Sequence, residues 1–154
     1  MSQYNNPLAQ GVERRNELKK NIAKIVAQTQ DASSTFNIAL SALKNNNPEL
    51  AIKKFEQVLK IDTSEEMQRQ VKPNLAQAHL HIGQTATALR EFRAALKLNQ
   101  PDEVKAFIYA NLGYIYTQQN FHGFAIREYR QAVKENKKDT TSLLTLAMLY
   151  ENTY

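Results

Sequence analysis

The stretch from Ala106 to Asp139, AFIYANLGYIYTQQNFHGFAIREYRQAVKENKKD, decides the fold. Its apolar residues recur at intervals of three and four, the period of a helix with one buried face. With Ala106 as position 1, Tyr109, Leu112, Gly113 and Tyr116 fall at positions 4, 7, 8 and 11 of a first helical run. Ala125, Tyr129 and Ala132 fall at 20, 24 and 27, on a second run. Small residues facing one another let two helices approach to about 8 Å, and the large residue at 24 fills the space beside that contact.

The same spacing occurs twice upstream. Started at Arg69, positions 8, 20, 24 and 27 hold Ala76, Ala88, Phe92 and Ala95. Started at Ala32, they hold Ala39, Ala51, Phe55 and Val58. From Thr140 the first run alone recurs, with Leu143, Leu146, Ala147 and Tyr150 at 4, 7, 8 and 11. Each pair buries one face within itself and offers another to the next pair, which makes a solenoid.

These residues resemble the tetratricopeptide repeat, whose pattern has a large residue at 4, Leu at 7, Gly or Ala at 8, Tyr at 11, Ala at 20, an aromatic at 24, Ala at 27 and Pro at 32. The third repeat matches with Tyr109, Leu112, Gly113, Tyr116, Ala125, Tyr129 and Ala132, and departs at Lys137, where Pro is usual. The second keeps LREFRAALKLN but has Lys72 at 4 and His79 at 11. The first keeps AIKKFEQVLKID, with Thr35 at 4 and Ala42 at 11. The resemblance covers residues 32–154. It implies an all-α superhelix of antiparallel helix pairs.

The spacing and the turn signals give about eight helices. Residues 1–11 are expected to be disordered, and residues 12–154 to form one helical repeat domain. A first helix is expected over 12–30, with Leu18, Ile22, Ile25 and Val26 on one face and Asp31 capping the next helix. Repeats follow at 32–65, 69–102 and 106–139, then a C-terminal helix at 140–154. Asn47-Pro48-Glu49 is a helix start: Asn caps, Pro takes the first position and Glu meets the positive end. Pro73, without an N–H, should kink or restart its helix. Ala51, Ala88 and Ala125 stand 37 residues apart rather than the usual 34, so the first helices of repeats two and three should gain about one turn. Leu18, Ile22 and Ile25 lie 33 residues before Ala51, Phe55 and Val58, the register of a second helix without its first. In the last helix Leu143, Leu146, Ala147 and Tyr150 should pack inward, leaving Leu149 at the open end.

With 154 residues the chain can bury a sizeable core. It has no Cys, so disulfide and thiolate chemistry are excluded, and a reducing, cytoplasmic setting fits. No apolar run reaches the roughly 18 residues of a membrane helix. Enzymatic readings find little support. His79 and His81 point to different faces of one helix and cannot share a metal. His122, beside Gly123, reads as a turn residue. No metal-protease helix motif or phosphate-cradling glycine loop occurs. The expectation is a non-enzymatic protein without cofactor or metal.

The resemblance implies that the first helices line a concave face, chiefly through positions 2, 5, 9, 12 and 13. The candidate groove residues are Phe36, Leu40, Leu43, Gln77, Leu80, Phe107, Asn111, Tyr114, Leu144 and Met148. Aromatic and Met side chains tend to dominate interfaces. The expected partner is a protein or peptide client, held by an adaptor or an assembly or secretion chaperone. A second reading is a homo-oligomerisation module, a homodimer through the C-terminal helix. A third is nucleic-acid or anionic-membrane binding through Arg14, Arg15, Lys19, Lys20 and Lys24, weakened by Glu13 and Glu17 among them. Family members that clamp a chaperone's C-terminal carboxylate use Lys at 5 and Asn at 9, Asn at 6 of the next repeat, then Lys at 2 and Arg at 6. Here Phe36, Leu40, Phe107 and Asn111 stand where four of these belong, and only Asn74 matches. The cations for bidentate recognition are absent.

Overall fold

The computed structural model describes residues 6–153, the side chains of 28–30 and 153 excepted. Among the described residues seven helices follow one another: α1 Pro7–Lys44, α2 Pro48–Ile61, α3 Glu65–His81, α4 Thr85–Leu96, α5 Asp102–Gln118, α6 His122–Glu135 and α7 Thr140–Thr153. Among the described residues there is no strand. The two helices expected at 12–30 and 32–45 are a single one, which is why seven stand where eight were expected. Asp31 does not cap; it is an exposed residue inside α1. No Gly or Pro lies between Val12 and Lys44, and extending an existing helix avoids the cost of a new nucleus. The disorder expected at 1–11 gives way to helix from Pro7, while residues 1–5 lie outside the described residues. Asn6 caps that start, its side chain accepting from the Leu8 N–H at 3.0 Å, with Pro7 at the first position. It is the same Asn-Pro signal that opens α2 at Asn47-Pro48.

The three turns inside the helix pairs are built alike. Asn46, Gly83 and Asn120, each 37 residues apart, all take positive φ, at 56°, 80° and 60°. Asn and Gly tolerate this left-handed conformation. The next residue in each case donates back to the first helix: Asn47 to the Ala42 carbonyl, Gln84 to that of His79 and Phe121 to that of Tyr116, at 2.8, 2.9 and 2.9 Å.

The core forms in blocks along the stack. Ala39, Ala42, Ala51, Phe55 and Val58 of the first pair pack with Val71, Leu75 and Ala78 of α3. Ala76, Ala88, Phe92 and Ala95 of the second pack with Ile108, Leu112 and Ile115 of α5. Ala125 and Tyr129 of α6 pack with Leu149 of α7. Each block thus joins a pair to the helix that begins the next one. The close contact expected at position 8 is clearest at Gly113, where an added Cβ would lie 2.7 Å from the Tyr129 ring.

α7 is rotated from the expected phase. Leu146 packs inward as expected, but Leu149, expected at the open end, is 5% exposed and packs inward with Ser142, while Leu143, Ala147 and Tyr150 face outward. Positions 4, 8 and 11 of a first helix are made to meet their own second helix. Among the described residues none follows α7, so the buried side is the one turned to α6.

Pro73 neither kinks α3 into two helices nor restarts it; α3 runs from Glu65 to His81 with Pro73 buried inside. The missing N–H leaves the carbonyl of Arg69 without its helical donor. The buried Gln100 side chain supplies one, its Nε2 donating to that carbonyl at 3.3 Å and to the Ala95 carbonyl at 3.2 Å.

Candidate functional site: a trough along the first helices

The first helices of successive pairs touch, α1 with α3 and α3 with α5. Three depressions lie along them. The first, about 520 Å³, is lined by Phe36 and Leu40 of α1, by Glu66, Arg69, Gln70, Pro73 and Asn74 of α3, and by Gln100, Pro101, Glu103, Val104 and Phe107 at the start of α5. The second brings Leu40 and Leu43 together with Asn74, Gln77 and His81. The third joins Asn46, Leu80 and His81 to Asn111 and Tyr114.

Eight of the ten residues expected to line the groove therefore line one of these depressions. Phe36, Leu40 and Phe107 share the first; Leu40, Leu43 and Gln77 the second; Leu80, Asn111 and Tyr114 the third. Leu144 and Met148 line none of them. They are 65% and 54% exposed on α7. The aromatic side chains are half committed to the core. Phe36 tilts onto Phe55 with ring centroids 5.8 Å apart, and Phe107 meets Phe92 edge-on at 6.4 Å. Such anchoring fixes their rotamers and leaves one edge of each for a partner. Asn111 Nδ2 donates to the Phe107 carbonyl at 2.8 Å, which ties that amide to its own helix.

α3 and α5 are 17 residues long, against 12–14 for the second helices. The added turns place Glu66 on α3 and Glu103 and Val104 on α5, which with Arg69 and Gln70 at the first two repeat positions form the far wall of the first depression. Sequence reading located the insertion but not this polar rim. Glu66 takes hydrogen bonds from Gln70 at 2.9 Å and from Arg69, which together hold its carboxyl below the usual range. Arg69 also donates to the Asn99 carbonyl at 3.2 Å, pinning the extra turn to the α4–α5 loop. The signal was present in the 37-residue spacing, but only packing shows which side chains the added turn turns inward.

A second regularity lies on the outer helices. Lys53, Arg90 and Arg127 share one repeat position, Lys60, Lys97 and Lys134 another, and all six are exposed. The cations expected to matter, on α1 from Arg14 to Lys24, are likewise exposed. Among the described residues no three His, Asp or Glu side chains gather where a metal ion could sit, and no helix is long and apolar enough to cross a membrane.

No protein-family model and no curated protein sequence matches the chain. Solved structures do. A crystal structure of MamA superposes with a TM-score of 0.65 at 21% identity, over 87% of this chain and 74% of that one. The second TPR domain of human RPAP3, solved with the HSP70 peptide SGPTIEEVD, gives 0.62 at 16% identity, over 80% and 98%. The TPR2AB domain of yeast Sti1, in a complex with an HSP90 peptide, gives 0.66 at 16%, over 79% and 47%. The repeated small–large register, the three like-built turns and these superpositions agree: the chain has the tetratricopeptide-repeat fold, three helix pairs followed by a single helix in the register of a fourth.

Proposed function

We propose that the chain is a non-enzymatic protein-interaction module that holds a segment of a client protein in the trough along α1, α3 and α5. The observation that carries this reading is the line of three depressions walled by half-exposed Phe36, Leu40, Leu43, Leu80, Phe107 and Tyr114. Apolar and aromatic edges spaced along adjacent helices suit alternate side chains of an extended peptide or one face of a helix. Fold neighbours solved with peptides support a protein or peptide partner in general terms. The client differs in chemistry from an acidic chain end. Phe36 and Leu40 occupy positions where a carboxylate clamp needs Lys and Asn, and the first depression carries Glu66 and Glu103 on its rim. Glu66 is paired with Arg69, so a segment with apolar anchors and a cation near Glu103 fits better. Such a module acts as an adaptor or as an assembly chaperone of the cytoplasm.

The test is selection from a random peptide library on the full chain. Enriched peptides should carry two or more large apolar residues. Leu40→Glu should weaken them at least tenfold, roughly 1.4 kcal/mol, and Lys53→Glu on the outer face should leave them unchanged. A library that yields no enrichment, or binders indifferent to Leu40→Glu, overturns the trough as the site.

A further inference from the structure

The two ends of the solenoid each expose a face that the interior repeats cover. At one end α7 carries Leu143, Ala147 and Tyr150 at positions 4, 8 and 11 of a first helix. In the third pair those positions are Tyr109, Gly113 and Tyr116. There α6 covers the last two: the Tyr129 ring lies against Gly113, and Phe124 packs on Tyr116 with centroids 5.4 Å apart, while Tyr109 packs against the core of the preceding pair. On α7 all three are exposed, while Ser142 and Leu149 on the other side are buried.

At the other end every residue of α1 from Pro7 to Ala27 is exposed. Leu18, Ile22 and Val26 are 61%, 52% and 50% exposed, with Ile25 on the same stripe. This stripe has the register of a second helix: 18, 22, 25 and 26 precede Ala51, Phe55, Val58 and Leu59 by 33 residues. Among the described residues, α7 thus displays a first-helix face that no second helix covers, and Leu18, Ile22 and Val26 of α1 display a second-helix face that no first helix covers.

We propose that the exposed part of α1 in one copy lies antiparallel along α7 of another copy and completes a fourth helix pair between the two molecules. The Gly113–Tyr129 contact sets the register, placing Ile22 on Ala147 and Leu143 beside Ile25 and Val26. Leu18 replaces the usual small residue at 20 and Ile22 the usual ring at 24, so bulk is moved along the helix rather than added. Residues 12–27 span about 24 Å and α7 about 21 Å, so the two faces match in length. The two surfaces are different and each copy owns one of each. Such a contact is heterologous, and with its two surfaces at opposite ends of the stack copies add head to tail rather than closing into a dimer. Because α1 is one helix from Pro7 to Lys44, the docked segment is a continuous strut into the next copy's first pair. The contact uses none of the residues that line the trough, so this assembly and client binding can fail separately.

Sedimentation velocity on the full chain tests it, using Ile22→Glu and Leu143→Glu, with Leu18→Glu and Tyr150→Glu as a second pair. All four lie at exposed helical positions, and circular dichroism confirms that each variant keeps its helices. Wild type should grow with concentration beyond 17.6 kDa without a plateau at the dimer. Each variant alone should stay monomeric. An equimolar mixture of Ile22→Glu with Leu143→Glu should form a species of twice the monomer mass and nothing larger, because one intact contact remains between them. A wild type that is monomeric throughout, a plateau at the dimer, assembly that survives either variant, or a mixture that stays monomeric would each overturn the proposal.

Discussion

In the α5–α6 pair, position 11 is Tyr116 and position 23 is the buried Glu128. In the α3–α4 pair the same positions are His79 and Glu91. There the carboxylate is satisfied within its own pair, Glu91 Oε2 lying 2.7 Å from His79 Nδ1. Tyr116 cannot serve Glu128 in that way. Glu128 instead reaches back across the seam to Arg93 of α4, whose guanidinium also donates to the Tyr116 hydroxyl at 3.4 Å. With Tyr at position 11 in place of His, and Arg93 in the preceding pair where Glu56 stands one repeat earlier, the partner of the position-23 carboxylate shifts from its own pair to the previous one. Identical backbone plans thus carry different load paths: the second pair is locked internally, the third is locked to its neighbour.

Removing the seam should have the largest effect. Burial pulls the Arg93 pKa down, but hydrogen bonds to Tyr116 and Glu128 and the carboxylate's charge outweigh it, leaving it above its ordinary value. Arg93→Leu leaves Glu128, 2% exposed, with only the Arg127 guanidinium at 3.4 Å. Breaking a buried pair from one side costs about 3 kcal/mol, whereas replacing both members with apolar groups is often near neutral. Urea denaturation should therefore show a large loss for Arg93→Leu and recovery of most of it in Arg93→Leu with Glu128→Leu. Equal losses in the single and double variants would mean that packing, not charge, holds the seam.

A swap at position 11 sharpens the contrast. His79→Tyr gives the second pair the chemistry of the third, and Glu91 then needs a cation from α2. The residue there in the register of Arg93 is Glu56, an acid. The expected loss is about 2 kcal/mol, the cost of a half-buried carboxylate left without its donor. Adding Glu56→Arg should restore it by rebuilding the seam one repeat earlier. If Glu56→Arg brings no recovery in denaturation midpoint, the third pair's arrangement does not transfer.

A smaller difference lies in the extra turn. Gln100 completes the hydrogen bonding of a helix that contains Pro73, while the matching residues of the third pair are Lys137 and Ala110, whose N–H is present. Gln100→Ala should cost about 1 kcal/mol or somewhat more by leaving the Arg69 carbonyl unpaired. Lys137→Ala should change little. In a Pro73→Ala background the Gln100→Ala loss should shrink, because the restored N–H serves the same carbonyl. Thermal unfolding of the four variants decides it.

The helix pairs were legible because their signals are local and repeated. The small residues at 8 and 20 and the aromatic at 24 recur in one register, and the resemblance resting on that register pointed to first-helix positions, eight of which line the three depressions. What was not legible depended on neighbours. Asp31 and the Ser-rich stretch after it offer a cap, but nothing in the chain forbids helix there, and continuation is cheaper than restarting. The phase of α7 departs from the repeat pattern at positions 4, 8 and 11, because among the described residues no second helix gives them an inward face, while Leu146 at position 7 still packs inward. Leu144 and Met148 share a repeat register with residues of the depressions, yet among the described residues no helix stands beyond α7 to make a wall opposite them. The Gln100 amide is separated by about thirty residues from the carbonyl it serves, and no periodicity announces such a pair.

The finest test compares the two helix crossings themselves. Gly113 admits the Tyr129 ring so closely that a Cβ would sit 2.7–2.9 Å from three ring atoms, while the second pair manages with Ala76 and Phe92. Gly113→Ala gains roughly 1 kcal/mol of helix propensity but forces the ring to move, an overpacking cost of about 1–3 kcal/mol. The Tyr129 hydroxyl, hydrogen-bonded to Thr117, resists that movement. Gly113→Ala alone should therefore lower stability slightly. In a Tyr129→Phe background the ring is freed from Thr117 and can retreat to the position its counterpart takes beside Ala76, and the same Gly113→Ala change should become neutral or stabilising. A double-mutant cycle by urea denaturation reads the coupling directly. A Gly113→Ala effect that is the same in both backgrounds would show that the ring is held by its apolar neighbours rather than by its hydroxyl, and that the two crossings differ in shape and not only in one methyl group.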